Sequence, residues 1–400
     1  MASDPRFDFG VVNKFLLGKQ HLAPESTIAD VVQIARDACG LHATSATTPY
    51  LSVFARSPGA GPKALSQELE RRTLAKIRCV RGTIYIQPRD WIPAFVAATR
   101  RRNTAQTSEY ARQAGISERR YTAAASEITA LLAGIGMTAA SIRREMGFKG
   151  ELSPVLYRMC DEGLLLRGRP EKGWKDRALQ YVLFREALPD VDLEAMDEAE
   201  AMTCVVELYL RGFGPATVDD VSWWTGFSKT EVHTALGRLE GRLARVALGE
   251  ARRPALLLQE EIEELSDLRG RGGPTVNFLP CLDGYLMGYH ERERYLRRDL
   301  ADVVFDRSGN VTSTILAGGE IVGVWDLEDS PDPTVKLHFL SRVPREIRKA
   351  AVRRAVEIGR IVFDREARVG FCESMIPLVR RPAGSVMSPL KGIEVEQRAG

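Results

Sequence analysis

Cysteine is sparse and scattered. Cys39, Cys79, Cys160, Cys204, Cys281 and Cys372 include no C-x-x-C pair, and His21, His42, His233, His290 and His338 are equally dispersed. A structural zinc site needs clustered ligand pairs, so none is expected, and no other metal or cofactor is called for. Thiols so placed fit small buried apolar residues in a reducing compartment better than a disulfide framework. Long apolar runs are missing too, and nothing approaches the ~20 residues of a membrane span. Met1–Phe9 holds Asp4, Arg6 and Asp8 but no apolar signal core, so a cytoplasmic location without membrane attachment is expected. Neither a Walker-type Gly-Lys-Ser/Thr loop nor an adjacent Ser/His/Asp set occurs, which leaves a nucleotide hydrolase or conventional acyl hydrolase unsupported.

What remains is a soluble globular profile. The chain has 400 residues, 44% hydrophobic and 27% charged, enough for two to four domains. The net charge is only +3, yet 45 of the 56 basic residues are arginine and 11 are lysine. Arginine offers a planar fork that suits phosphates and base edges; genomic codon bias would give the same excess.

The periodicity predicts one plan three times: short helices, then two β-rich runs joined by a turn. The first set is Ile28–Cys39 stopped by Gly40, a helix starting at Thr47–Pro49, Lys63–Arg72, then strands at Ala75–Arg81 and Thr83–Gln87. The second is Tyr121–Gly134, Thr138–Met146 and Ser153–Glu162, then Gly163–Arg167 and Leu179–Phe184. The third is Ala199–Arg211, Thr217–Thr225 and Ser228–Gly241, then Leu243–Leu248 and Ala255–Gln259. Thr217 can cap over Asp220 and Ser228 over Glu231. Trp223 and Trp224 are expected to pack between helices. Helices followed by a hairpin are the winged-helix plan. Beyond Gly270 the pattern turns to strands at Thr312–Ala317, Ile321–Trp325 and Thr334–Phe339, a basic helix at Pro344–Glu357, and a loose tail from Pro382. The expected fold is therefore α+β: three tandem winged helices (1–95, 96–190, 191–270) and a β-rich, barrel-like domain (271–400).

Several separated motifs resemble one family. Gly40-Leu-His-Ala-Thr44, Pro49-Tyr-Leu-Ser52 with Arg56, and Val80-Arg-Gly-Thr83 resemble the start of the winged-helix DNA glycosylase superfamily typified by AlkZ and YcaQ. Phe213-Gly-Pro-Ala-Thr-Val-Asp-Asp220 with Trp224, Leu279 to Tyr289, and Gly319 to Trp325 resemble its later parts. The resemblance runs from about Phe9 to Val379. It implies tandem winged helices around a concave DNA-binding face, and a hairpin in the last module that probes DNA; the Gly-rich turn Ala317–Glu320 with Gly318 and Gly319 is either that hairpin or an ordinary hairpin turn. Family members known as glycosylases carry Gln-x-Gln or Gln-x-Asp at the catalytic motif. This sequence has His42-Ala43-Thr44 there.

That replacement is chemically permitted. An N-alkylated purine already carries positive charge and leaves without a strong acid, so an acceptor that holds the attacking water suffices. Neutral histidine can accept, and Thr44 can orient it or hold the same water. The position equally suits a histidine packed between helices with Thr44 or Ser45 as a cap. Asp283, in Leu279-Pro-x-x-Asp-x-Tyr285, would stabilise charge or brace its turn.

Basic clusters crowd the expected wings: Arg167, Arg169, Lys172, Lys175 and Arg177 around Trp174, and Arg242, Arg245, Arg252 and Arg253 on the third. Arg292, Arg294, Arg297 and Arg298 follow the Tyr289 motif. Local clusters in a near-neutral chain fit selective DNA binding. Candidate DNA contacts are Arg56, Arg81, Arg169, Lys172, Lys175, Arg252, Arg253, Gly318 and Gly319; candidate catalytic residues are His42, Thr44 and Asp283. The expected protein is a monomer on double-stranded DNA that excises alkylated purines of the N7-alkylguanine type, a class extending to bulky adducts and crosslinks. A non-catalytic DNA-binding regulator and a drug-sequestering resistance protein are the alternatives.

Overall fold

The computed structural model describes residues 4–269, 275–382, 384–387 and 390–395. The expected junction Arg271–Pro274 lies outside them. Three hairpins appear where the alternation placed them: Leu74–Arg78 with Ile84–Pro88, Leu165–Pro170 with Leu179–Leu183, and Leu243–Leu248 with Arg253–Leu258. Short helices precede each, Thr48–Arg56 and Pro62–Arg71 before the first, Ala139–Met146 and Ser153–Asp161 before the second, Val218–Thr225 and Lys229–Arg238 before the third. Both expected capping boxes form, Thr217 with Asp220 and Ser228 with Glu231.

The hairpins are not equivalent. The first two join edge to edge at Lys76 and Arg167 within one six-stranded sheet, which the strands Leu41–His42 and Met137–Thr138 close off at its two ends. The third pairs instead with the N-terminal strand Arg6–Phe7, parallel to Leu243–Leu248. A 22-residue helix, Ile92–Gln113, runs across residue 95 and packs on both the second unit and the helix Glu198–Phe213. The main core lies among these helices, around Trp224, Tyr209 and Phe213. Trp224 is 1% exposed, so its packing role holds.

The C-terminal part differs from the barrel expected. Its six strands lie in chain order from Val276–Leu279 to Leu390–Val395, and the first and last do not pair, so the sheet stays open. Most pairs are antiparallel; Thr334–Phe339 and Arg368–Met375 run parallel, joined by the helix Arg345–Phe363 that covers one face. The expected loose tail contributes the edge strand Leu390–Val395, paired with Arg368–Met375. Leu51 and Phe54 pack into this same core, so the helix Thr48–Arg56 wedges between the first hairpin and the C-terminal sheet.

Candidate active site

The site grows from the turn that ends the helix Val31–Asp37. Cys39 and Gly40 both take positive φ, +52° and +93°, and reverse the chain into the strand Leu41–His42. A Cβ on Gly40 would lie 2.4 Å from the Gln87 amide, so only glycine lets the strand settle here. His42 then stands opposite Tyr85 on the first hairpin, and the Ala43 amide donates to the Ile84 carbonyl at 2.8 Å. The rings of His42 and Tyr85 meet edge-on at 5.1 Å, and Tyr85 meets Trp224 at 6.0 Å. A rigid aromatic wall thus fixes the imidazole.

His42 is 4% exposed, and its Nδ1 is buried without a hydrogen-bond partner. Burial pushes its pKa down to about 4; the nearby Arg81 charge adds to this and Asp283 opposes it. The imidazole is therefore neutral at pH 7 and keeps a lone pair. Thr44 sits two residues on, exposed, in the bend before the helix Thr48–Arg56. The structure brings it near in chain but does not join it to His42 by a hydrogen bond.

Below the strand lies a buried ionic network that the sequence did not disclose. Asp283 is 0% exposed and receives Arg56 in a bidentate pair, 2.9 Å to each oxygen. Ser52 Oγ donates to the same carboxylate at 2.5 Å and the Tyr285 amide at 3.0 Å. Burial alone would raise the Asp283 pKa; the Arg56 charge and these donors outweigh it and hold the carboxyl below the ordinary range. Arg56 also donates to Gln20, whose amide reaches the Asp37 and Gly212 carbonyls. Asp283 thus braces the loop before the helix Gly284–Met287 against the helix Thr48–Arg56 and, through Arg56 and Gln20, against three more. Its charge reaches His42, but every one of its contacts is already taken by protein.

Among the expected DNA contacts, Arg56 and Gly319 are buried within the protein and Arg253 is half-buried in ion pairs. Arg56 is 1% exposed and committed to Asp283, with no path to a phosphate. Arg253 is paired with Glu291 and Glu293, and Arg294 is buried against Asp220. The Gly318–Gly319 tip does not project: Gly319 abuts Asn13 on the helix Phe9–Lys19, leaving a Cβ only 3.0 Å from that side chain. A side chain there would strike the protein's own N-terminal helix. By contrast Arg169, Lys172, Lys175 and Arg252 are exposed. Arg81, at the turn of the first hairpin with φ +52°, lays its guanidinium 4.0 Å over the ring of Trp223.

A family model described as DNA glycosylase AlkZ-like matches residues 35–360. The chain belongs to the AlkZ-like DNA glycosylase family. One curated relative, the interstrand DNA cross-link repair glycosylase of Streptomyces sahachiroi, is 23% identical over 345 residues, covering 80% of this chain and 88% of that protein. The solved structure of Streptomyces sahachiroi DNA glycosylase AlkZ matches with a TM-score of 0.74 at 20% identity, over 92% of this chain and 100% of that one. At that identity the likeness carries the fold.

Proposed function

We propose that this protein excises alkylated purines of the N7-alkylguanine type from double-stranded DNA, with His42 positioning the attacking water. The observation that carries the reading is His42 itself: a neutral, rigidly held imidazole with an unpartnered buried nitrogen, at the position the family resemblance marks as catalytic. The water oxygen bonds to C1′ as the C1′–N9 pair departs with the base, whose ring loses its positive charge. A water proton passes by hydrogen bond toward His42 and on to solvent. A pKa near 4 makes the imidazole a weak base, so it holds and orients the water rather than storing the proton. The cationic leaving group supplies the remaining drive. Thr44 joins this arrangement only through a second water. Asp283 serves as a positioning residue, through the loop it braces.

The three helix–hairpin units are read as winged helices, and the unpaired cations on the second, Arg169, Lys172 and Lys175, as its phosphate contacts. We read the protein as a cytoplasmic monomer. The cross-link repair named for the Streptomyces sahachiroi relative extends the substrate reading to bulky adducts and interstrand crosslinks. One feature favours a second reading, a DNA-binding protein without catalysis: His-Ala-Thr replaces the paired Gln-x-Gln, and Thr44 faces solvent. Incubating the protein with duplex containing a single N7-methylguanine, and quantifying free base, separates the two. Release supports the glycosylase; tight binding without release of this or a bulkier N7 adduct supports the binder.

A further inference from the structure

Several buried and half-buried arginines in this chain are neutralised. Arg56 pairs with Asp283, Arg78 with Asp161, Arg253 with Glu291 and Arg294 with Asp220. Arg167, buried beside Lys76 in the fused sheet, and the pair Arg81 and Arg292 form no ion pair among the described residues; only the last two share an aromatic ring. They converge on Trp223, with Arg81 4.0 Å and Arg292 5.7 Å from the ring centre, and Arg292 also lies 3.7 Å over Phe305. Neither forms an ion pair among the described residues. Arg292 Nε is buried without a hydrogen-bond partner among the described residues, and the Arg81 guanidinium reaches the Ser308 carbonyl at 3.5 Å.

Asp306 is the one carboxylate whose charge acts on both guanidiniums, and among the described residues it ion-pairs with neither. Glu291 and Glu293 hold Arg253, and Asp220 holds Arg294. Asp306 accepts from the Ser308 and Asn310 amides of its own turn, both at 2.8 Å. Backbone geometry keeps the guanidiniums in place. A Cβ on Gly309 would lie 2.4 Å from the Trp223 ring and 2.8 Å from Arg292 Nη2, and a Cβ on Gly226 would press on Arg81. Two partly desolvated cations held together, with Asp306 as a single shared counter-charge that ion-pairs with neither, are costly in the free protein, and an incoming anion relieves both. The location ties them to the reaction site, because Arg81 turns the same hairpin whose Tyr85 faces His42.

We infer that Arg81 and Arg292, spaced by Trp223, form a two-pronged site for one DNA phosphodiester flanking the nucleotide presented to His42. The inference rests on the glycosylase reading but concerns binding, so it is tested without base release. Forked guanidiniums favour phosphate oxygens over a point contact. Trp223 acts as the spacer, its ring covered by guanidinium rather than offered to a base.

The test is a methylphosphonate scan. Duplexes with one N7-methylguanine carry a single neutral linkage at each position around it, and affinity is measured at fixed salt. One linkage within about two nucleotides of the lesion should weaken wild-type binding by roughly 10- to 100-fold, the scale of a charge-assisted contact. Arg81→Gln and Arg292→Gln should each weaken binding to the all-phosphate duplex and lose sensitivity to that same linkage, and the double variant should flatten the log–log salt slope by about 0.9. A wild-type scan with no sensitive linkage near the lesion overturns the inference, and needs no variant to fold. So does a scan in which folded Arg292→Gln protein keeps the full sensitivity of the wild type. If base is never released yet the scan shows the linkage, the phosphate site stands and the glycosylase reading falls.

Discussion

The ionisation of His42 makes the account testable at the level of one side chain. Its folded pKa, about 4, lies below the ordinary 6.5. As pH falls through that window the unfolded chain takes up a proton first, so stability present above pH 6.5 is lost toward pH 4, by roughly 3 kcal/mol. Urea unfolding at pH 7 and pH 4.5 should show that loss, and His42→Gln should flatten it. The rate of base release should hold from neutral pH to about pH 5 and then fall; a midpoint near 6.5 would mean the imidazole is solvated. Asp283→Asn should cost about 3–5 kcal/mol in the same unfolding assay, because it strands the buried Arg56 charge. His42 stood out because it falls at the catalytic position of the family the sequence resembles; its place after a helix stop suits a packed histidine as well. The Arg56–Asp283 pair was not, because 227 residues separate partners that only the fold brings together. Reading Arg56 as a DNA contact followed from its charge, and burial reversed it.

Elements were legible where local chemistry decides them. The two capping boxes, the strand pair of the third hairpin and the helix Thr48–Arg56 all follow from neighbouring residues. The helix Ile92–Gln113 was missed because, beyond Ile92 and Phe95, its buried side holds only Ala98, Thr99, Asn103, Thr107 and Ala111, which give no sustained apolar rhythm. The edge strand Leu390–Val395 hid behind the proline and glycine before it, and its pairing is long-range. Gly40 carries the clearest element-level prediction. With φ +93° and the Gln87 amide beneath it, Gly40→Ala should lower stability by about 1–3 kcal/mol in thermal or urea melts. It should also slow base release at temperatures where the protein stays folded, because the strand carrying His42 begins at that residue.

Across the whole molecule, the fusion of the first two hairpins into one sheet places the exposed cations of the second beside the unit that holds His42. Overall charge could not reveal this, since +3 averages over basic tips and neutralised interiors. Replacing Arg169, Lys172 and Lys175 together with Ala should weaken binding to every duplex and flatten the salt slope by about 2–3, at about 0.9 per phosphate contact. An unchanged slope in a salt titration would remove the second hairpin from the interface. The central claim, that His42 carries the chemistry, is tested most directly by single-turnover release of N7-methylguanine from duplex DNA by the wild type, His42→Ala and His42→Gln. The account predicts a loss of ~10²–10⁴ in rate for His42→Ala, partial recovery in His42→Gln, and duplex affinity little changed in both. Full activity in a folded His42→Ala protein would contradict it.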